Sequence, residues 1–135
     1  MDKERLRKIK KIFVSYKDNL LKLKQLLPPS LKGVDYNKVV VQTTKSNNAN
    51  EQMLIIYLIQ KEELEREIEL VNKVYEYFAD ERDAELAHLI DVRFRQGKKH
   101  WQAVNNCYIS ERQGIRWLEM AYAKADDIGR QMHIF

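Results

Sequence analysis

Apolar side chains recur along this chain in alternating steps of three and four. From about Asp2 to Leu27 the repeat is Leu6, Ile9, Phe13, Tyr16, Leu20, Leu23 and Leu27. From about Glu51 to Phe78 it is Leu54, Tyr57, Lys61, Leu64, Ile68, Val71, Tyr75 and Phe78, with Leu70, Val74 and Tyr77 widening the stripe. A helix returns to one face at those intervals, so each repeat predicts a long helix packed along a seam. Pro28-Pro29 predicts the end of the first helix, because proline lacks an N–H and restricts the residue before it. Asn50 is the predicted N-cap of the second. Glu62–Arg66 and Glu69–Lys73 are spaced to pair across one turn on its wet side. Two seams in one short chain imply an antiparallel helical hairpin, a coiled-coil dimer, or both.

Between the seams, residues 28–49 read as a connector. Gly33, Asp35 and Ser46-Asn47-Asn48 are turn chemistry, and Val39-Val40-Val41 suits a short extended piece. After the second seam the apolar positions Leu86, Leu89, Ile90, Val92 and Phe94 predict a third helix over about Asp80 to Gln96. Asp80, Glu81 and Asp83 suit its N-terminus, Arg93 and Arg95 its C-terminus, and Gly97 its stop. A short helix follows over about Lys98 to Asn105. A last one, opening at Ser110, runs to about Ile128; Ser110 and Gln113 have the S-x-x-Q spacing of a capping box. Residues 129–135 either fray or dock. The expected fold is all-α: a long helical hairpin or coiled-coil region over 1–79, then a helix-turn-helix region over 80–135.

Composition narrows the class. The chain has 135 residues, 44% hydrophobic and 33% charged, with four Gly and two Pro, which suits long helices and few loops. Its single cysteine, Cys107, forms no internal disulfide and fits a reducing, cytoplasmic setting. No apolar run approaches the roughly 18 residues of a membrane span. The net charge is +4, but it is segmental: +8 over residues 1–49, −4 over 50–79 and zero over 80–135. Within the last part, residues 93–116 hold six Lys/Arg and one acid, so a basic edge lies inside a neutral total. No glycine-rich phosphate loop or nucleophile elbow is present, and His88, His100 and His133 lack cysteine companions at zinc spacing. The expectation is a non-enzyme without cofactor or metal.

The stretch from Leu86 to Ala125 therefore carries the functional reading: helix, Gly97, short helix, tight turn, capped helix. In a helix-turn-helix the short helix braces the last one, whose first turns enter the major groove. Trp101, Val104, Ile109, Trp117 and Ala121 are the positions expected to pack between the two. The expected reading residues are Ser110, Glu111, Arg112, Gln113, Ile115 and Arg116. Arginine pairs bidentately with guanine, glutamine with adenine, and glutamate accepts from cytosine. Arg93, Arg95, Lys98 and Lys99 are the expected phosphate contacts, fixing register without reading sequence. Charged helix faces are more often only solvated, and that is the preferred reading of the basic N-terminal helix. Glu111 also suits the helix dipole. Gly114, inside the last helix, costs about 1 kcal/mol against alanine and signals either close packing or a pliable helix start. Val104 stands where most helix-turn-helices carry a small residue.

Leu89, Arg93, Phe94, Gly97, Trp101, Ile109-Ser110-Glu111-Arg112, Arg116 and Trp117 together resemble region 4 of sigma factors. They resemble more closely the phage late-gene transcriptional regulators of the ArpU/RinA-like group, and Lys61–Phe78 is similar to the helix these place before the reader. The resemblance implies a regulator, most simply an activator, of phage late genes for packaging or lysis. It would bind promoter or operator double-stranded DNA in a bacterial host cytoplasm, as a homo-oligomer, a dimer first, with RNA polymerase a further contact. A two-fold dimer would set half-sites about one helical turn apart. Two other classes fit the same pattern: a phage small-terminase-like DNA recognition subunit, and a helical interaction protein that does not bind DNA.

Overall fold

The computed structural model describes residues 2–26, 44–80 and 83–135, the side chains of 44–50 excepted. Every regular element among them is helical: α1 (Lys3–Val14), α2 (Tyr16–Gln25), α3 (Thr44–Asp80), α4 (Ala84–Ile90), α5 (His100–Asn106) and α6 (Glu111–Gln131). The all-α expectation holds. Among the described residues no helix is long and apolar enough to cross a membrane.

The first seam is one helix interrupted at Ser15, which leaves helical geometry at φ −85°, ψ 2° while its N–H still reaches Lys11 O at 2.9 Å. α2 stops at Gln25, before the proline pair. The second seam starts earlier than expected. Thr44 to Asn50 are helical, so Ser46-Asn47-Asn48 is not a turn and Asn50 is not a cap. Residues 28–43 of the expected connector, with Val39-Val40-Val41, lie outside the described residues.

Most of both seams packs within the chain, from Leu6 to Leu23 and from Ile68 to Phe78, while Leu54 at the start of the second stays exposed. Ile9, Phe13, Tyr16, Ile68, Val71 and Phe78 are buried in one cluster that also takes in α4, α5 and α6. Polar ties fix α2 on α3: Tyr16 donates its hydroxyl to Asn72 Oδ1 at 2.9 Å, and the buried Asn19 donates Nδ2–H to Glu67 Oε2 at 2.9 Å. On the wet side Glu62–Arg66 and Glu69–Lys73 pair at 2.9 and 3.2 Å, as their spacing predicts.

α4 runs into a wider, π-type turn over Asp91–Arg95, where Gln96 N–H reaches back five residues to Asp91 O at 2.8 Å. Gly97 closes it at φ +74°, a conformation that glycine adopts without strain. The wide turn places Phe94 against Phe13, with ring centroids 5.1 Å apart and edge to face; Phe13 meets Tyr122 of α6 at 5.5 Å in the same manner. This aromatic trio ties α1, the end of α4 and α6 together. At the far end of α6, Asp126 is 5% exposed and sits 3.4 Å from Arg5 Nε and 3.1 Å from Arg130 Nη2. The last residues dock: Ile134 N–H bonds to Gly129 O at 2.9 Å, and the Phe135 ring covers Gly129.

Candidate nucleic-acid interface

Four residues, 107–110, join α5 to α6. α5 ends in a Schellman motif: Tyr108 N–H bonds to Asn105 O at 3.2 Å and Ile109 N–H to Val104 O at 3.1 Å. Tyr108 takes the left-handed position, φ +57°, and its side chain is almost fully exposed. Ile109 turns inward onto the core. Ser110 then caps α6, its Oγ accepting from Gln113 N–H at 3.1 Å. Only this half of the expected capping box forms. The reciprocal bond is found instead at α5, where Lys99 N–H donates to Gln102 Oε1 at 3.1 Å.

The two helices cross at the pair of residues that look unusual in sequence. A Cβ on Gly114 would lie 2.5 Å from Val104 Cγ1 and 3.1 Å from His100 Cε1. The large residue on α5 is accommodated by the missing side chain on α6, a size exchange across the crossing. Close packing, not a pliable start, accounts for Gly114. His100 adds a tie, its Nε2–H donating to Glu111 O at 3.4 Å. The first turn of α6 is thus held by a cap, a crossing and a histidine.

α6 buries Gly114, Leu118, Ala121, Tyr122, Ala125, Asp126 and Gly129. At about 100° per residue, Arg112 and Arg116 each fall about 160° from Gly114, one turn apart. Both are exposed, and among the described residues neither has a salt-bridge partner. Glu111 is exposed at the helix start, and Gln113 is half-buried. Ile115 faces sideways into an open groove of about 500 Å³ between α1 and α6, which Leu6, Lys10, Leu118 and Tyr122 also line. Burial pushes the Tyr122 phenol above its ordinary range, the nearby Arg93 opposing the shift.

The four expected phosphate contacts divide into two pairs. Lys98 and Lys99 are exposed at the start of α5 and have no acidic partner among the described residues. Arg93 donates to Lys98 O at 2.9 Å and lies 5.1 Å from the Phe94 ring, stapling the Gly97 turn. Arg95 stacks 4.4 Å over the Tyr75 ring of α3, with Nε 3.5 Å from Asp91. The arginine heads therefore have partners inside the molecule, and the lysine heads are open to solvent.

Trp101 departs from expectation. It is 53% exposed, whereas Val104, Ala121, Ile109 and Trp117 pack inward as predicted. From His100 to Cys107 the inward stripe is the buried Ala103 and Val104 with the half-buried His100 and Cys107, and Trp101 lies about 110° from its centre. It stands instead beside Lys98 and Lys99, an outward aromatic on the basic edge that periodicity in so short a helix did not reveal. Cys107 is half-buried, and burial together with the carboxylate of Glu85 pushes its thiol up.

Compared with known proteins, the chain matches no family model, and no curated protein or solved structure matches it at a significant level.

Proposed function

We propose that α5, the four-residue turn and α6 form a helix-turn-helix that reads double-stranded DNA in the major groove. The observation that carries the reading is the pair Arg112 and Arg116. Two arginines without acidic partners among the described residues stand one turn apart on the outward face of the first two turns of α6, and the opposite face is fixed by the Gly114–Val104 crossing. A reading helix needs that combination of free bidentate donors and a rigid base. Ser110, Glu111, Gln113 and Ile115 flank the pair and supply the neighbouring contacts. Lys98 and Lys99, with the exposed Trp101 following them in the chain, take the phosphates of the adjoining strand. Arg93 and Arg95 support that edge by shaping the Gly97 turn and bracing α3, and their guanidinium groups contribute long-range attraction.

The chain is then a sequence-specific regulator of transcription with no catalytic step of its own. The resemblance to ArpU/RinA-like regulators supplies the setting: a promoter of late phage genes, and a polymerase near by. The test is binding to DNA fragments from the parent genome at several salt concentrations. Arg112→Ala and Arg116→Ala are each expected to lose about 1–3 kcal/mol of discrimination between the preferred site and other sequences. Lys98→Ala is expected to weaken all sequences alike and to lower the salt slope by about one. Arginine variants that bind the preferred site as tightly as wild type would remove α6 as the reader.

A further inference from the structure

In the N-terminal half of α3, residues 53–59 lack, among the described residues, the packing their composition requires. Met53, Leu54, Ile55, Ile56, Leu58 and Ile59 are each 45–55% exposed. Successive residues on a helix point about 100° apart, so Met53 to Ile56 surround the helix with apolar surface. A helix that is hydrophobic all round is one buried among other helices. α2 ends beside Gln60, Glu63 and Leu64, and the preceding sixteen residues of α3, about 24 Å of helix, project past it. A projection of that length is marginal as a helix without tertiary packing.

The charge pattern identifies what packs there. From Gln52 to Gln60 no residue is charged, whereas seven of the nine from Lys61 to Glu69 are. The change from a covered to a wetted helix therefore falls at Gln60, where α2 ends. An uncharged, apolar segment presents nothing to a charged partner, and it is complementary to itself: side by side, two such segments bring no like charges together. A segment apolar on every side takes neighbours on more than one side, which a bundle of the same segment from several copies provides. Six half-exposed side chains are fewer than the roughly 20–30 residues a side of a standard interface, so the assembly is expected to dissociate on dilution.

We propose that residues 53–59 of α3 join copies of this chain into a homo-oligomer through a bundle of these segments. The second seam is filled within the chain from Ile68 on, and its first positions, Leu54 and Tyr57, belong to this joining surface. The inference stands on α3 alone and holds whether or not α6 binds DNA.

The test is the mass of the full chain in solution by light scattering across a dilution series. Wild type is expected at twice or more the 16.2 kDa of one chain, and the Ile55→Glu/Ile59→Glu variant at one chain mass with its helical circular dichroism retained. A wild-type monomer at the highest concentration overturns the proposal and leaves residues 27–43 of the same chain to cover the segment. A double variant that keeps the oligomer also overturns it. Should that variant not fold, Leu58→Cys and Glu69→Cys, each with Cys107→Ser, decide under mild oxidation. Cross-linking at position 58 and not at 69 supports the bundle, and absence of cross-linking at 58 overturns it.

Discussion

Alanine at position 114 probes the joint on which the reading helix rests. The added methyl would sit 2.5 Å from Val104 Cγ1 and 3.1 Å from His100 Cε1. Val104 is 2% exposed, and its β-branched side chain has one strongly preferred rotamer in a helix, so it yields poorly. Overpacking costs about 1–3 kcal/mol, and replacing glycine in a helix interior returns about 1 kcal/mol. Gly114→Ala alone is therefore expected to destabilise by about 1 kcal/mol. Val104→Ala alone removes two buried methyl groups and costs about 2 kcal/mol, cavity included. In the double variant the new methyl enters the space that Val104 vacates. The double variant is thus expected to be less destabilised than the sum of the singles by at least about 1 kcal/mol. Urea denaturation of the four proteins at one concentration measures the cycle. Additivity to within about 0.5 kcal/mol would refute the size-exchange account, as would a Gly114→Ala chain more stable than wild type.

Three further outcomes follow from the same structure. Asp126→Ala leaves Arg5 and Arg130 without their buried acceptor; both remain partly solvated, so the expected loss is about 1–2 kcal/mol in a urea melt, and an unchanged midpoint would contradict it. Because the folded state raises the Tyr122 phenol above the ordinary value of 10.0, its contribution is intact below that value and fades as the pH rises from there through the raised one. The fall in stability between about pH 9 and about pH 11 is expected to be smaller in Tyr122→Phe than in wild type, and equal falls would count against the assignment. The raised Cys107 thiol is expected to alkylate with iodoacetamide more slowly in the folded chain than in urea at about pH 8; equal rates would deny the shift.

Much of this architecture is legible from local chemistry. Three-four spacing places both long helices, Gly97 ends the helix before the basic edge, and Ser110 marks the start of α6, because each signal lies within a turn or two of its effect. The other features depend on partners distant in sequence. The π-type turn at Asp91–Arg95 carries Phe94 into the Phe13–Phe94–Tyr122 cluster, whose members come from three elements. Val104 and Gly114 each look like a departure alone and make sense only as a pair. The early start of α3 overrides the turn preference of Ser46-Asn47-Asn48, since propensity is a weak prior against a continuing helix. At the interface, the outward placement of Arg112 and Arg116 follows from periodicity. The engagement of Arg93 and Arg95 does not, because it is set by a carbonyl at Lys98 and a ring at Tyr75.

Protection of parent-genome DNA by the purified protein probes the outward face of α6. Wild type is expected to protect a discrete site, with affinity falling steeply as salt rises, and Arg112→Ala/Arg116→Ala to lose that site while staying folded. No protection at any sequence even at low salt, or full protection by the double arginine variant, would contradict the account.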